Sequence, residues 1–404
     1  MKLTFKHTQV ACWLGYVSQA ITASFLPLLF VRMENEFGFS LAKLTFIITL
    51  TFVSEIIIDA ISPFLVKLFG YRKTLVAGNF CSVIGIAGLS VFPSLFKDPY
   101  LGFMLCAFFY SIGGGVDEVL VSPVVEACPT KNKERAMGIL HSAFCFGCAG
   151  VILFSTIYFH FFGIENWRIL AIIWAVIPLV NSVLFAFVPI RTIEEEKGKG
   201  RFVDTLKNPL FWVLGVGMFC AGASELSISQ WASAFAESGL GVSKTLGDLL
   251  GPCAFAILMG ISRLTYAGLN HKFDIKKIMI FASVFGVVFY LVTVLATNPL
   301  IALIGCCLCG VAVAPLWPGT FSLAAKHIPN ASTAMFAVYA LLGDGGCTIG
   351  PSIVGFVSTA NNDDISKGLA CATIFPAMMI ITILVTKKLT QKEEVKTKSV
   401  VVTE

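Results

Sequence analysis

Long apolar runs recur along the whole chain and constrain its fold more than any other feature. Each run holds about 20 to 25 residues, the length that a helix rising ~1.5 Å per residue needs to cross a ~30 Å hydrocarbon core. The sequence therefore predicts an all-α polytopic membrane protein with twelve transmembrane helices. These spans, numbered 1 to 12 in chain order, are predicted at 8–31, 43–66, 74–96, 100–123, 136–160, 167–189, 209–235, 245–269, 276–297, 299–325, 332–358 and 367–386.

The composition agrees with a membrane protein. Of the 404 residues, 56% are hydrophobic and only 13% are charged, which is far more apolar than a soluble chain. The first run is too long for the apolar core of a signal peptide, and no small-residue cleavage pattern follows it, so we expect span 1 rather than a removable leader. The 13 cysteines are scattered through apolar helices. We expect them to be packing residues and expect no metal site.

The distribution of positive charge predicts the orientation, because cytoplasmic loops carry the excess of Lys and Arg. With the N-terminus inside, the inner segments carry 22 of the 29 Lys and Arg residues and the outer loops carry six, while Arg263 lies within a span. Both termini are therefore predicted to be cytoplasmic, with the protein in the plasma membrane. The net charge of +5 follows from this bias and gives no reason to expect a nucleic-acid partner.

The motifs of several enzyme classes are missing from the sequence. It contains no Walker A pattern, no H-E-x-x-H and no G-x-S-x-G elbow. An ATP-driven motor and a hydrolase are thus not supported. We expect no enzymatic activity and no cofactor.

Weak internal repeats predict a duplicated architecture. FGYRK (69–73) and FDIKK (273–277) lie 204 residues apart, and CPTKNKERAM (128–137) corresponds to the region around IPNASTAM at a similar offset. Because such matches keep their order along the chain, we expect two six-helix bundles related by duplication. The predicted boundaries are 1–190 for the N-terminal bundle, 191–208 for a cytoplasmic linker, 209–386 for the C-terminal bundle and 387–404 for a cytoplasmic tail.

This arrangement of six plus six helices with a basic loop after span 2 resembles the major facilitator superfamily. The loop keeps Lys67, Gly70, Arg72 and Lys73 of the family pattern but has Val66 where an Asp is expected. The resemblance implies two pseudo-symmetric bundles, alternating access, and a central cavity lined by helices 1, 4, 7 and 10. It also implies gating or structural contacts for Lys67 and Arg72.

The helix motifs are similar to those of the fucose:proton symporter branch and its relatives. GGGVDEVLVSP in span 4 matches that group's pattern with Glu118, although Ser122 replaces an Asn, and span 7 matches it with Glu225 and Trp231. GVAVAPLWP in span 10 and GDGGCTIGP in span 11 also resemble the group's patterns. The Asp of the group's helix 1 falls on Ala23. This resemblance implies proton-coupled uptake of a small polar solute such as a sugar.

Charged residues inside the spans require a physical reason, because each costs ~2.5 to 3.5 kcal/mol at the centre of a membrane helix. One interpretation is that they pair with one another and hold the bundle together. Asp59 and Arg263 lie at similar depths, which favours a structural ion pair or a gate contact between them. We expect a packing or gating role for His141, near the inner end of span 5. The charged residues within spans are Glu55, Asp59, Asp117, Glu118, Glu225, Arg263 and Asp344.

A functional interpretation is stronger for Glu118, Glu225 and Asp344. The resemblance places the first two on cavity-lining helices, where a low dielectric disfavours the charged form of a carboxyl and lets it load and release a proton. Asp344 lies ~18 Å into span 11, near the middle of the membrane. Its GDGG setting leaves two roles open, a proton-coupling group or the cap of a locally broken helix.

Helical geometry defines the candidate substrate ligands around Glu225. Ser229 is four residues away and only about 40° round the helix, so the two share a face. Trp231 lies about 120° away and joins them only if the helix unwinds or the cavity is wide; its alternative role is an interfacial anchor. The other candidate substrate ligands are Gln19, Thr22 and Trp317.

The sequence thus predicts a secondary transporter that moves a small polar solute, a sugar or related metabolite, together with protons. We expect a monomer in the lipid bilayer. Proton-coupled efflux of amphipathic compounds or drugs is the alternative, since 36 Phe residues suit apolar ligands as well as lipid contact. A non-transporting membrane sensor is less favoured, because we expect such a protein to carry a sizeable soluble output domain.

Overall fold

The computed structural model describes residues 3–129, 133–191, 205–269, 274–328 and 333–401. Eleven helices in these ranges are long and apolar enough to cross a membrane. One of them, Leu41–Gly88, has 48 residues and would measure ~72 Å if straight, more than twice the hydrocarbon thickness. At Gly70 the backbone is not helical (φ 79°, ψ 158°), and this break divides the helix into two spans. The prediction of twelve spans is confirmed.

The twelve spans are labelled α1 to α12 and match the predicted spans 1 to 12 in order. Several helices extend beyond the predicted apolar runs, because the ends of a membrane helix can reach past the hydrocarbon core and carry polar residues. The bounds are Phe5–Phe37 (α1), 41–69 (α2), 71–88 (α3), Pro99–Ala127 (α4), Lys133–Phe162 (α5), Trp167–Phe187 (α6), Pro209–Gly239 (α7), Lys244–Tyr266 (α8), Ile275–Leu295 (α9), Pro299–His327 (α10), Thr333–Ala360 (α11) and Ile365–Gln391 (α12).

Local sequence sets the starts of several spans. Three helices begin at a Pro that follows an Asp or Asn, in the pairs Asp98–Pro99, Asn208–Pro209 and Asn298–Pro299. In each pair the Asp or Asn side chain accepts a hydrogen bond from a backbone N–H of the first turn. Asp and Asn are favoured as N-caps, and Pro fits the first helical position, where its missing N–H is not needed. These dipeptides therefore begin α4, α7 and α10.

Helices α7 and α10 are each interrupted within their length. The regular helix of α7 ends at Ser229, and a short helix (Ala232–Ala234) and a π-helical turn (Phe235–Gly239) follow it. In α10 the helices Pro299–Val313 and Leu316–His327 are separated at Pro315, which has no N–H to continue the ladder. Both breaks lie in segments that carry motifs similar to those of the fucose:proton symporter branch.

The two groups of six spans, α1–α6 and α7–α12, are called the N-half and the C-half. Most of the predicted linker between them, residues 192–204, lies outside the described residues, as do the last three residues of the predicted tail. Large apolar side chains such as Phe64, Phe161 and Phe281 are exposed on the surface of the bundle. In a spanning protein this surface faces lipid.

Direct contacts join the halves on the side opposite the chain termini. The hydroxyl oxygens of Thr49 on α2 and Ser352 on α11 are 2.6 Å apart. The Gln230 side chain of α7 donates a hydrogen bond of 2.9 Å to the backbone carbonyl of Ala23 on α1. The predicted orientation makes this the outer side, so the halves are packed together there.

Candidate functional site

Three carboxyl groups meet at the centre of the bundle. Asp59 of α2, Glu118 of α4 and Asp344 of α11 each contribute one carboxylate oxygen to a group in which all oxygens lie within 4.8 Å of one another. Asp59 and Asp344 are buried, with 7% and 8% exposure, and Glu118 is half-buried. This set, called the carboxyl cluster, combines two groups of the N-half with one of the C-half.

Glycines on α4 allow α2 to bring its carboxyl groups this close. A Cβ atom at Gly115 would lie 2.9 Å from the Asp59 Oδ1 atom, and one at Gly114 would lie 2.6 Å from the Glu55 Oε1 atom. Glu55 precedes Asp59 by one helical turn and is also buried. The GGG stretch of α4 is therefore the surface against which the acidic face of α2 packs.

Among the residues that the structure describes, one side-chain amide donates a hydrogen bond to the carboxyl cluster. The Gln19 amide of α1 donates a 2.7 Å hydrogen bond to Glu118 Oε2. As a carboxylate Asp59 has no hydrogen-bond donor among the described residues, but its carboxyl group pairs with that of Asp344 when one of the two carries a proton. The cluster thus holds acceptor atoms in excess of the donors around it.

The neighbouring carboxyl of Asp117 faces a different environment. It is fully buried, and its Oδ1 atom accepts a 2.8 Å hydrogen bond from the Asn79 amide of α3. Asn79 in turn contacts Asn181 of α6. The adjacent residues Asp117 and Glu118 therefore separate into a polar contact inside the N-half and a group at the centre of the bundle.

An ion pair lies on the C-half side of the centre. The Arg263 guanidinium of α8 donates a 2.7 Å hydrogen bond to Glu225 Oε2 on α7. Its other terminal nitrogen lies 3.2 Å from the sulfur of Cys145 on α5, across the boundary between the halves. The expected contact between Asp59 and Arg263 is not formed. Asp59 faces α4 and α11, whereas Arg263 faces α7 and α5.

An aromatic and an imidazole side chain lie nearby. Trp317 of α10 is half-buried, and its ring packs so closely on Gly343 that a Cβ there would lie 2.3 Å from an indole carbon. This places the indole beside the residue that precedes Asp344. His141 of α5 is exposed, with its ring centroid 5.7 Å from that of Tyr16 on α1.

Comparison with known proteins identifies the family. The sequence profile of the Major Facilitator Superfamily matches residues 12–351, most of the chain. The chain belongs to the major facilitator superfamily. Members of this superfamily are transporters and not enzymes, so the sequence-based predictions of family, fold class and lack of enzymatic activity are confirmed.

Individual relatives are distant. An uncharacterized MFS-type transporter, YhcA of Bacillus subtilis (strain 168), is 25% identical over 204 residues, which is 50% of this chain and 36% of that protein. The chain thus spans about a third of the length of this relative. A bacterial homolog of the human lysosomal transporter Spinster, in an inward-facing and occupied conformation, superimposes with a TM-score of 0.76 at 14% identity, over 96% of this chain and 98% of that chain.

Two further solved structures share the fold. A point variant of the E. coli fucose:proton symporter FucP gives a TM-score of 0.64 at 16% identity, over 95% of this chain and 98% of that chain. A point variant of the nucleoside transporter NupG gives 0.73 at 11% identity, over 95% and 98%. At these identities the likeness concerns the superfamily fold alone.

The basic loop of the superfamily has a structural contact in this transporter. The Arg72 guanidinium donates hydrogen bonds to the backbone carbonyls of Phe185, Ala186 and Val188, at 2.9, 2.6 and 2.8 Å. A cation at the carbonyl end of a helix is stabilising, so Arg72 caps α6. Lys67 is exposed.

Trp231 occupies a packing position. The regular helix ends at Ser229, just before Trp231, and such an end is one condition for Trp231 to approach Glu225. However, the indole is fully buried, donates a 2.9 Å hydrogen bond to the Pro351 carbonyl and lies 5.5 Å from the Phe30 ring between centroids. The side chain therefore turns toward α11 and α1, and full burial also leaves it no interfacial position. Ser229 is half-buried.

The structure offers no support for one of the two roles left open for Asp344, the cap of a broken helix. Helix α11 runs without interruption from Thr333 to Ala360, so there is no local break for Asp344 to cap. The GDGG stretch instead allows close packing, since a Cβ at Gly346 would meet the Phe219 backbone carbonyl of α7.

Thr22 hydrogen-bonds to the Gln19 carbonyl and lines a small cavity with Thr51, Tyr110 and Gln230.

Some contacts at the centre were not predicted from the sequence. Cys145 was interpreted as a packing residue but lies against Arg263. The hydroxyls of Tyr16 and Ser122 are 3.1 Å apart, at the position where the related group has an Asn. The replacement at Ser122 was a signal that this part of span 4 differs, but no spacing along one helix indicates the partner on another.

Proposed function

We propose that this transporter is a proton-coupled symporter of a small polar solute, working by alternating access. The carboxyl cluster supports the proposal most directly. Three carboxyl groups within 4.8 Å of one another in a buried site cannot all carry a charge without a compensating cation, because their mutual repulsion is weakly screened there. Binding a proton therefore favours the arrangement that brings the halves together at this point.

Because the cluster takes Asp59 and Glu118 from the N-half and Asp344 from the C-half, proton binding is linked to the relative position of the halves. Such linkage is what coupling requires, since a ligand shifts a conformational equilibrium only by binding the two states unequally. In the proposed cycle Glu118 and Asp344 bind protons from outside and the solute binds next. The halves then rock, and the protons and the solute are released inward.

The Glu225–Arg263 pair is assigned a supporting role in this proposal. A 2.7 Å ion pair joins Glu225 to Arg263, and Arg263 links Glu225 to the N-half through Cys145. Protonation of Glu225 would release the guanidinium, so this pair is a second point at which proton binding affects the contact between halves.

For the solute we propose a sugar or related metabolite. Amide, carboxyl and aromatic groups surround the centre, as Gln19, Glu118 and Trp317, and an indole face suits a sugar ring while polar groups bind its hydroxyls. Thr22 and Ser229 remain proposed contacts at the edge of this region. The names of two fold neighbours, a fucose:proton symporter and a proton:xylose symporter, agree with this class. We further propose a monomer in the plasma membrane with both termini cytoplasmic.

Reconstitution tests the proposal. The purified protein is placed in liposomes with an internal pH dye, and sugars, nucleosides and amphipathic drugs are added one at a time. Acidification of the interior on addition of one polar solute, and accumulation of that solute driven by an imposed pH gradient, are expected. Alkalinisation with an amphipathic compound would favour efflux instead, and no proton movement with any solute would contradict proton coupling.

The Glu118→Gln variant separates coupling from binding. We expect it to lose at least tenfold of the proton-driven accumulation while keeping exchange of labelled solute between the two sides, because exchange needs no net proton movement. Asp117→Asn is the matched control, an adjacent buried carboxyl on the same helix that lies outside the cluster, and it should keep accumulation. Unchanged accumulation in Glu118→Gln would contradict the assignment.

A further inference from the structure

We infer that the solute of this transporter carries a carboxylate, as a sugar acid does, and that this carboxylate binds Arg263 in place of Glu225. The inference rests on the proposed function. It narrows the proposed solute from small polar compounds in general to monovalent organic anions that also carry hydroxyl groups.

The Arg263 guanidinium has more donors than partners. It carries five N–H groups in a planar fork. Its Nη2 atom donates to Glu225 Oε2 at 2.7 Å, and its Nη1 atom lies 3.2 Å from the Cys145 sulfur, which is a weak acceptor. The Nε atom is buried and has no hydrogen-bond partner among the described residues. Because buried polar atoms nearly always have a partner, the edge formed by Nε and Nη2 lacks an acceptor.

A carboxylate that is free to orient can satisfy this edge. Pairs of Arg with a carboxylate are frequently bidentate, with two parallel N–H···O hydrogen bonds. Glu225 is fixed to α7 and makes one such bond, from Nη2 to Oε2. A solute carboxylate that accepts from both Nε and Nη2 would complete the bidentate pair, and it would take the place of Glu225 at Nη2.

The guanidinium lies where a solute can reach it. The Arg263 side chain is 18% exposed and contacts both α7 and α5, so it lies at the boundary between the halves. His141, one helical turn from Cys145 on α5, is exposed and interacts electrostatically with Arg263. The His141 ring also lies against Tyr16 of α1. The exposed parts of both side chains therefore face the space between the halves.

The centre of the bundle has acidic groups on one side and basic groups on the other. The carboxyl cluster and the Gln19 amide that contacts it suit the hydroxyl groups of a solute. Arg263 and His141 suit a negative charge. One guanidinium balances one charge, which favours a carboxylate over a phosphate ester with a charge near −2. A sugar acid has both kinds of group on one small molecule.

Replacement of Glu225 links the solute to a proton. Once a solute carboxylate occupies Arg263, a charged Glu225 would be left unpaired in a membrane span, which is strongly unfavourable unless it binds a proton. One proton and one monovalent anion then bind together, and the net charge of the pair does not change. A lower pH should therefore favour binding of the solute.

Other titratable groups surround the pair and have to be separated from it. Protonation of His141 would also favour an anion, so its contribution needs its own variant. The titratable groups that interact electrostatically with Glu225 or Arg263 are Glu118 on α4, His141, Cys145 and Cys148 on α5, Tyr290 on α9 and Cys347 on α11.

The test measures the thermal unfolding midpoint of the full-length protein in detergent at pH 5.5 and pH 8. The probes are glucuronate, galacturonate and gluconate, with glucuronamide, glucose and glucose 6-phosphate beside them. The acids stay ionised at both values, because their carboxyl pKa is ~3.5, like that of an α-carboxyl. We expect at least one acid to raise the midpoint by several degrees, saturably, and more at pH 5.5. No rise with any acid, or an equal rise with the neutral amide or the phosphate ester, overturns the inference.

Variants tie the effect to Arg263. Glu225→Gln leaves the guanidinium without its carboxylate, so the acid should raise the midpoint of this variant more than that of the wild-type protein, and equally at both pH values. Glu225→Gln/Arg263→Met should lose the rise, whereas Asp117→Asn should keep it. His141→Gln should keep most of the pH dependence. A rise that persists in the double variant, or a pH dependence lost only in His141→Gln, contradicts the exchange of partners at Arg263.

Uptake in liposomes separates this inference from the proposed function. Proton movement with a neutral sugar and with none of the acids overturns the inference and leaves the proposed function intact. No proton movement with any solute contradicts the proposed function, while an acid-specific rise in midpoint that the double variant loses would still support the site at Arg263.

Discussion

At the scale of single residues, Glu225 and Arg263 show how a membrane protein accommodates an intramembrane charge. The insertion penalty of ~2.5 to 3.5 kcal/mol for a lone charge at the helix centre is offset when the partner lies 2.7 Å away. The Arg263 Nε atom still has no partner among the described residues. The guanidinium is therefore held by few contacts and depends strongly on the Glu225 carboxylate.

Removing the carboxylate should destabilise the protein. We expect Glu225→Gln to lower the free energy of unfolding by roughly 3 kcal/mol, the lower end of the range for breaking a buried ion pair, since the Arg263 side chain is 18% exposed. The thermal unfolding midpoint in detergent measures the effect.

The double variant Glu225→Gln/Arg263→Met should recover most of this loss, because it removes the unpaired charge. Asp364→Asn breaks the exposed 3.8 Å pair with Lys367 and serves as the control, with little change expected. A single variant as stable as the wild-type protein would show that the ion pair is not a stabilising contact.

At the scale of elements, the packing of α2 on α4 is what assembles the carboxyl cluster. Helices approach closely in membranes where small residues lie at the interface. The GGG stretch of α4 provides this, and side chains of α2 occupy the space that Cβ atoms at Gly114 and Gly115 would take. The motif thus serves the site by leaving room for carboxyl groups of another helix.

Adding a methyl group there should separate the helices. We expect Gly115→Ala to lower the thermal midpoint and to reduce proton-driven solute accumulation at least tenfold, because the new Cβ would lie 2.9 Å from Asp59 Oδ1. Gly150→Ala on α5 is the matched control, since a Cβ there would have nothing within 4 Å. Equal behaviour of the two variants in transport would contradict the packing role assigned to Gly115.

At the scale of the whole molecule, the halves are in contact on the side opposite the termini and again between α5 and α8. The Thr49–Ser352 contact, the Gln230–Ala23 hydrogen bond and the Arg263–Cys145 contact all cross the boundary. Alternating access requires contacts of the first kind to open and close. Under the proposed alternating-access function, the contact between α2 and α11 would belong to a gate.

A cross-link tests this gate. In the Thr49→Cys/Ser352→Cys variant we expect a mild oxidant to form a disulfide, because the native hydroxyl oxygens are only 2.6 Å apart. Solute uptake in liposomes should then fall at least tenfold and return after reduction. The wild-type protein, with its 13 native cysteines, and each single variant are the controls. Full transport by the cross-linked protein would show that this contact stays closed throughout the cycle.

Much of the fold could be predicted from the sequence because the bilayer restricts what an apolar run can form. In lipid every backbone polar group must be satisfied internally, so a run of 20 to 25 apolar residues becomes a helix whatever its neighbours are. Span number and order followed from this requirement alone. The same physics makes Glu118 and Asp344 candidate functional residues, since a carboxyl inside a span needs a partner or a proton.

Only the tertiary structure decided which helices face one another, because depth along a helix gives a height but not a direction around the bundle. Asp59 was expected beside Arg263 and lies instead with Glu118 and Asp344. Trp231 was a candidate ligand, yet its indole is fully buried against Pro351. The sequence by itself determined that charges must be compensated within a twelve-helix membrane protein, and the packing of α2, α4, α7, α8 and α11 decided by which partners.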